Sequence, residues 1–585
     1  MSTRNTIILL LIAAGLFAFV FFYENKQPTT EEAAQLKSIA LLFNPESVDG
    51  VLLTNNETSM ELHKRNGAWF VDAPVQDRAD WKAVSNLLAT AVTLQKENTL
   101  DKIDREYGVT NSNIRLKFLG KGAPPEILFG KESTIDGRVY MRLDGQNNAF
   151  VARDDLKKLV TQKVDDFRDH RLTDINLPQV NRIILKTPEG EIGLLKERER
   201  WQIDKPIKAR ADNKKVENLV SRIIGEHIES FVSNSEAGDS TSGLSEPIGT
   251  VSVFTEEGGK PSELQIGKTS ESGKVYAKLS SRSSVCLLPA SFGRVVETRP
   301  NDLRDRHLLP LNLDIVDRIH IGQPGKPELT LVRKIENWML KGSPDVPANN
   351  AEVKRLATLV EQQEVDGFVA DVASDLQKYG LDQPQLRVTF SSYSSENTAE
   401  SEAGEHQIGT ISFGKIEGQH IYARLEEEPY VVSVSLSMLN SILTDPAQWR
   451  ALNIFKYKPM EIVLIKLNRE GRQPLTFSRD PREGWKLLEG SGALNKIAVE
   501  SLCNTLASLR AVRWSGSGAD NLGFDKPSVV LTFTTANNKS TRLTVGNMAH
   551  ETMWNAMTDA IPGAFIISRP DMETMQAELV EAGSK

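Results

Sequence analysis

"AWFVDAPVQDRAD", residues 68–80, returns as "RWQIDKPIKARAD", residues 200–212. Both read Trp, one residue, a β-branched residue, Asp, one residue, Pro, a second β-branched residue, and then Arg-Ala-Asp. Two weaker echoes follow, "NWMLKGSPDVPANN" at 337 and "GWKLLEGSGALNK" at 484. The four tryptophans, Trp69, Trp201, Trp338 and Trp485, stand 132, 137 and 147 residues apart. A phrase repeated at that period predicts tandem units, each large enough to bury its own core.

Other landmarks keep the same beat. A strand-like run opens each unit: "VDGVLLTN" at 48, "VNRIILKT" at 180, "VDRIHIGQ" at 316 and "MEIVLIKL" at 460. A glycine turn and a strand recur as "YGVTNSNIRLKF" at 107, "GLSEPIGTVSVF" at 243, "YGLDQPQLRVTF" at 379 and "LGFDKPSVVLTF" at 522. Then come "FGK" at 129, "IGK" at 266, "FGK" at 413 and "VGN" at 545, each followed by an aromatic: Tyr140, Tyr276, Tyr422 and Trp554. The third copy carries a Ser/Glu-rich insertion, 391–407, which reads as a solvated loop.

Within each unit, alternating runs lead to the Trp strand, and Asp80 or Asp212 stands where a helix N-cap belongs. The segments after them have helical period, with Trp81, Val84, Leu88 and Val92 in the first and Val216, Leu219, Ile223 and Ile224 in the second. Val353 and Val499 fall at the matching place in the other two. A second helix is expected to close the unit, as in "DDLKKLVTQKVDDF". Strand groups joined by short turns, with helices between them, predict an α+β class built on antiparallel sheets. The units are expected at 41–175, 176–311, 312–455 and 456–585. Their joins ("RLTDINLPQVNRI", "HLLPLNLDIVDRI", "RALNIFKYKPMEI") hold almost no Gly or Ser, which predicts rigid packing of neighbours rather than flexible linkage.

The chain has 585 residues, 39% hydrophobic and 25% charged, with a net charge of −8 and a pI near 5.7. That balance excludes a nucleic-acid partner, which would call for a basic face. Two cysteines, Cys286 and Cys503, are too few for a disulfide framework and read as buried free thiols. The N-terminus has Arg4 and then an uncharged apolar run from Ile7 to Tyr23. Seventeen residues at about 1.5 Å each reach the short end of a membrane span. The run exceeds a signal-peptide core, lacks a small-residue cleavage site and ends in bulky aromatics. Residues 1–23 are therefore expected to be an uncleaved transmembrane helix, with 24–40 a tether whose short helix Thr30 caps. On that reading the protein is single-pass in a bacterial inner membrane, with its bulk extracytoplasmic.

The residues carry no catalytic, cofactor or metal motif, so no catalytic, cofactor or metal residue is assigned and no enzyme is expected. None of the eight histidines stands at metal-ligand spacing. Lys131, Lys268 and Lys415 follow glycine but lack the rest of a phosphate loop, and read as turn chemistry. The most polar repeated phrase is Asp-x-Arg-Asp-x-x-Leu, from Asp166 and Asp302, with His170 and His307 beside it and a looser third form "DPAQWRAL". It reads as salt bridging where one unit hands over to the next, or else as a docking stripe carried by Arg168 and Arg304. The tryptophans read as core anchors.

The anchor, "W-x-[IV]-x-x-P-x-x-x-x-A-D", "YGL-x-x-P", "IGK" and the "VY" hairpin together resemble a bacterial membrane-anchored family, domain of unknown function 4340. The likeness runs over the chain after residue 40, and the fourth unit departs from it at the Pro and Lys positions. It implies association with gliding-type ABC-2 transporters, and so a protein partner in a transport complex. The expected function is a binding or scaffold accessory of a bacterial envelope transport complex. The alternatives are an envelope enzyme acting on polysaccharide or peptidoglycan with a site between units, and a passive spacer or adhesin.

Overall fold

The computed structural model describes residues 38–56, 58–232, 237–393, 405–515 and 521–581. In the first repeat the strands are β1 (Val48–Asn55), β2 (Thr58–Arg65), β3 (Ala68–Ala73), β4 (Asp77–Arg78), β5 (Asn98–Leu100), β6 (Ile114–Gly120), β7 (Ile127–Glu132), β8 (Arg138–Leu143) and β9 (Ala149–Arg153). They form one sheet in the order β4-β3-β2-β1-β6-β7-β8-β9-β5. Neighbours pair antiparallel throughout. The hairpin β2–β3 turns at Asn66 and Gly67, both at positive φ (51° and 84°), the Asn-Gly geometry that matches the twist of paired strands.

The second and third repeats build nine-stranded sheets of the same order. The fourth sheet has eight strands, because Ala493–Leu494 pairs with Val580–Glu581 instead of extending it. The chain divides into two compact bodies, one ending at Arg304 and the other beginning at Asp305, each containing two of these sheets.

Each repeat lays one amphipathic helix into its core. Trp81–Val92 is capped by the Asp80 carboxylate, which accepts from the Lys82 N–H at 2.8 Å, and buries Val84, Leu87, Leu88 and Ala91. Asp212, Asn349 and Asn495 cap Asn213–Ile224, Asn350–Gln362 and Lys496–Ala507 in the same way. Val84, Val216, Val353 and Val499 are all fully buried. The four repeat tryptophans are buried as well. Trp81 is different from its expected place: it begins its helix on the solvent side and is 56% exposed, with the Lys82 ammonium 5.9 Å over its ring.

The glycine landmarks have a shared steric cause. Gly108, Gly243, Gly380 and Gly523 sit in the left-handed region, with φ between 65° and 78°. The turn carbonyl beside each approaches the glycine of the later "FGK"-type motif. A Cβ on Gly130, Gly267, Gly414 or Gly546 would lie 2.1, 2.2, 2.2 or 2.0 Å from Tyr107, Ser242, Tyr379 or Leu522 oxygen. The repeat aromatic covers this contact in two copies: Tyr140 stacks on Tyr107 at 4.5 Å, and Tyr422 meets Tyr379 edge-on at 5.2 Å.

Four expectations are corrected. The class is predominantly β rather than α+β: strands take 42% and helices 21%, against roughly 20–25% strand in ordinary globular proteins. The expected second helix is short, six residues at Asp155–Val160 and at Leu436–Ser441, and a 3-10 segment at Ala290–Glu297. The insertion is not loop from its first residue. Ser391, Ser392 and Tyr393 pair with Gln407, His406 and Glu405, which lengthens the hairpin, and 394–404 lie outside the described residues.

The single-pass inner-membrane placement is the fourth. Among the described residues no helix is long and apolar enough to cross a membrane. The longest of them, Asn350–Gln362, has 13 residues and is polar on one face. At about 1.5 Å per residue it falls well short of a bilayer core. The expected transmembrane helix at 1–23, and the capped helix in the tether, lie outside the described residues.

Candidate binding clefts at the repeat joins

The Arg-Ala-Asp of the opening phrase belongs to the joins. In the first repeat Asp80 N–H donates to Phe167 oxygen at 2.8 Å, Asp169 N–H donates to Arg78 oxygen at 2.9 Å, and Ala79 bridges Arg168 as in a ladder. The chain then pairs onward with the second repeat. Leu172 N–H donates to Glu226 oxygen at 2.9 Å, Ile228 N–H donates to His170 oxygen at 2.7 Å, and Arg171 bridges His227. The exit segment is thus a strap, bonded first to its own repeat and then to the next.

The strap from the third repeat to the fourth repeats the pattern. Ala348 bridges Arg450, Asn453 bridges Arg510, and Ile454 N–H donates to Leu509 oxygen at 2.9 Å. Such pairing explains why these joins lack Gly and Ser: their backbone groups are committed, and a flexible linker would forfeit those bonds.

At the first join the strap arginine is neutralised. Arg168 Nε and Nη2 donate to Asp77 Oδ2 at 2.9 and 2.6 Å, and Arg282 of the second repeat donates through Nε to Asp77 Oδ1 at 2.8 Å. All three side chains are under 5% exposed. Arg282 also donates to Asp169 and Arg171 oxygens at 2.7 and 2.9 Å. The Arg168 guanidinium lies 3.3 Å over the Phe231 ring, which closes the cluster. Nearby, burial lowers the Arg78 pKa, and the charge of Arg282 adds to that. Burial pushes Asp169 upward, but hydrogen bonds from Arg171 and the charges of Arg78 and Arg171 outweigh it and hold the carboxyl below its usual value.

The equivalent arginine of the second pairing has no such partner. Arg450 lies 3.3 Å over Trp514 and donates to Pro562 oxygen. The position of Asp77, eight residues after the repeat tryptophan, is Val346 in the third repeat. Arg450 Nε is buried with no hydrogen-bond partner. Burial alone lowers its pKa, to about 10.

Two clefts flank this second strap. One, about 460 Å3, is lined by Asn337, Asn349, Asn350, Asn453, Lys456 and Arg510, among others, and contains no carboxylate. The other, about 560 Å3, includes Arg355, Arg513 and Trp514. Both lie in the size range of ligand pockets, and they share Asn349 and Leu452.

The remaining expected candidates serve the fold. Asp166 and Asp302 accept from the Lys163 and Arg299 N–H groups at 2.9 and 3.0 Å, fixing the turn before each strap. Arg304 is fully buried and donates to Asn301 Oδ1 at 3.0 Å. Neither Arg168 nor Arg304 offers an exposed docking stripe. His170 faces the Ile228 and Asp165 carbonyl oxygens at 2.7 and 3.1 Å, and His307 meets Asp305 Oδ1 at 2.8 Å. Lys268 donates to Ser240 oxygen at 3.3 Å, across the glycine turn it follows. Burial pushes the Cys286 thiol up to about 12 and the Cys503 thiol up to about 11, so neither supplies a thiolate at neutral pH. Among the described residues no group of three or more His, Cys, Asp or Glu could hold a metal ion. Asp77, Arg282 and Arg450 were not singled out in the sequence. Their signal was there as a departure: Asp77 stands where the next two copies have Ala209 and Val346.

No curated protein matches the chain. Two solved structures of the DNA polymerase sliding clamp from Pseudomonas aeruginosa, one with ligand, align at 8% and 7% identity. They cover 68% and 67% of this chain and 93% and 92% of theirs, with TM-scores of 0.10 and 0.11. At such scores the likeness carries neither fold nor function to this chain. The model of one family matches three successive stretches, residues 69–200, 201–345 and 338–527, which together take in the tryptophan strands, the glycine turns and the straps. The chain belongs to that family, Domain of unknown function (DUF4340).

Proposed function

We propose that this protein is a non-catalytic binding scaffold that holds partner surfaces within a transport complex of the ABC type. The observation behind this reading is where the repeated residues are spent. The tryptophans are in the cores, the glycines are in steric contacts, and Arg-Ala-Asp pairs with the straps. What the copies share is a module that packs against its neighbour. What differs between copies is the charge left at the joins. A chain of such modules gains reach and avidity from copy number, whereas a catalytic constellation gains little. The resemblance of its motifs to a family that accompanies ABC-2 exporters supplies the kind of partner.

Cross-linking in intact cells, followed by gentle detergent extraction and purification of the tagged full chain, tests this. The expected result is stoichiometric recovery of transporter subunits. Recovery of the chain alone after cross-linking, from cells making the transporter, would overturn the reading.

A further inference from the structure

The two clefts beside the second strap differ from the first join in the kind of group they present. In the carboxylate-free cleft three of the four asparagine side-chain oxygens are already used. Asn350 Oδ1 accepts from Trp338 N–H at 3.0 Å, Asn349 Oδ1 accepts from Ala351 N–H at 3.2 Å, and Asn337 Oδ1 accepts from Asn350 Nδ2 at 3.3 Å. That leaves the Asn453 amide and, as donors, the Nδ2 groups of Asn337 and Asn349, the Lys456 ammonium and the Arg510 guanidinium. Lys456, Arg510 and Arg513 are exposed and have no ion-pair partner among the described residues.

In the second cleft Glu352 pairs with Arg355 at 2.6 Å, and Asp445, which accepts from the Ala447 N–H at 2.9 Å as a helix cap, keeps its negative charge. Behind its Trp514 wall sits the Arg450 charge, which no carboxylate among the described residues balances. Three exposed cations without an ion-pair partner among the described residues, Lys456, Arg510 and Arg513, on a chain whose overall charge is negative, are complementary to an acceptor-rich anion.

The aromatic groups decide which anion. Sugar recognition uses an open aromatic face, and none is offered here. Trp338 and Trp514 are each 5% exposed, and Arg450 covers one face of Trp514. The apolar floor is instead Met339, Leu452 and Val512, interspersed with the cations. That alternation fits an extended chain with acidic and apolar side chains in turn.

We propose that these clefts bind an acidic, extended peptide segment of a partner. Its carboxylates meet Lys456, Arg510 and Arg513, and its backbone carbonyls meet the amide groups of Asn337 and Asn349. The assignment rests on the binding-scaffold reading and names the chemistry of the partner segment.

The test is fluorescence anisotropy on the full chain with a labelled ten-residue peptide alternating Glu and Leu, beside its Gln analogue. The Glu peptide should bind saturably and weaken as salt rises, and the Gln analogue should not bind. Arg510→Gln with Arg513→Gln should weaken binding about tenfold or more. Both side chains are exposed and unpaired, so the melting temperature should hold. Lys214→Gln, on the other body, should change nothing. Equal binding of the Gln analogue, or unchanged affinity in the double variant, would overturn the assignment. So would an oligogalacturonate of equal charge that binds more tightly than the peptide. If the double variant abolishes peptide binding but the cross-linked complex is still recovered, the clefts bind acidic peptide and further surfaces hold the scaffold. If the peptide never binds while the complex is recovered, the clefts lose their assignment and the scaffold reading stands.

Discussion

The first and second repeats meet through an arginine that is fully answered, and the third and fourth through one that is not. Arg168 and Arg450 occupy equivalent places on their straps, and each lies 3.3 Å over an aromatic ring of the following repeat. The difference lies in the carboxylates of the preceding repeat: Asp77 stands against Val346, and Asp165, 3.0 Å from Arg168, stands against Ala447. A buried guanidinium costs several kcal/mol of lost hydration unless a carboxylate answers it. Asp77 answers two at once, and the join closes around them. Val346 answers none, and the open clefts with their uncommitted cations lie beside that arginine. One scaffold therefore uses the same strap as a lock in one place and as a receptive surface in another.

The comparison breaks most directly at Asp77. Asp77→Ala leaves the Arg168 and Arg282 cations facing each other under 5% exposure, and should destabilise the body ending at Arg304 by roughly 3–5 kcal/mol in urea unfolding. The fluorescence transition of the other body should not move. A tryptophan probe of the same size class gives the reference: Trp201→Ala should also cost its body roughly 3–5 kcal/mol. If it kept full stability while losing a ligand, the tryptophan would be a binding platform rather than a core anchor.

A smaller loss is expected at the glycine contact. Gly130→Ala places a Cβ 2.1 Å from the Tyr107 oxygen, a backbone atom that must shift. Gly137→Ala meets nothing within 4 Å and pays only for its φ of 69°, about 1 kcal/mol. Circular-dichroism melts should rank the two in that order, and the reverse order would remove the steric reading of the "FGK" motif.

The smallest effect is on pH. The folded carboxyl of Asp169 is held below its usual 3.8. Its contribution is present above that value and lost as pH falls through the lower folded one. Asp169→Asn should therefore flatten the acid limb of stability against pH below about 4 and leave its slope near neutrality unchanged. A variant that kept the wild-type acid slope would show that Asp169 is not held down by Arg171 and Arg78.

The repeat was legible because its signatures are local. A tryptophan in a short strand, an N-cap and a glycine at positive φ each leave a mark within a few residues. The balance of strand to helix was less legible, because a six-residue closing helix such as Asp155–Val160 and a longer amphipathic one both show helical period. The ends of the insertion were misread for a related reason. Ser391 to Tyr393 look polar, yet their strand partners are 405–407, beyond a stretch no local pattern bridges. The join chemistry was legible only as a phrase. Arg168 stood in it, but Asp77 lies 91 residues away and Arg282 lies 205 from Asp77. No spacing rule connects them. Only the sheet order and the strap bring them together.

The lock and the receptive surface can be compared within one molecule by supplying the missing carboxylate. Val346→Asp places an acid at the position equivalent to Asp77, two residues before Ala348, which bridges Arg450. Native-state hydrogen exchange, read by mass spectrometry over the strap residues 449–454, then reports the second join separately from the first. If a carboxylate is what distinguishes the joins, the variant should slow exchange across 449–454, leave 168–172 unchanged and weaken the Glu-peptide affinity. Faster exchange at 449–454 with peptide affinity intact would contradict it.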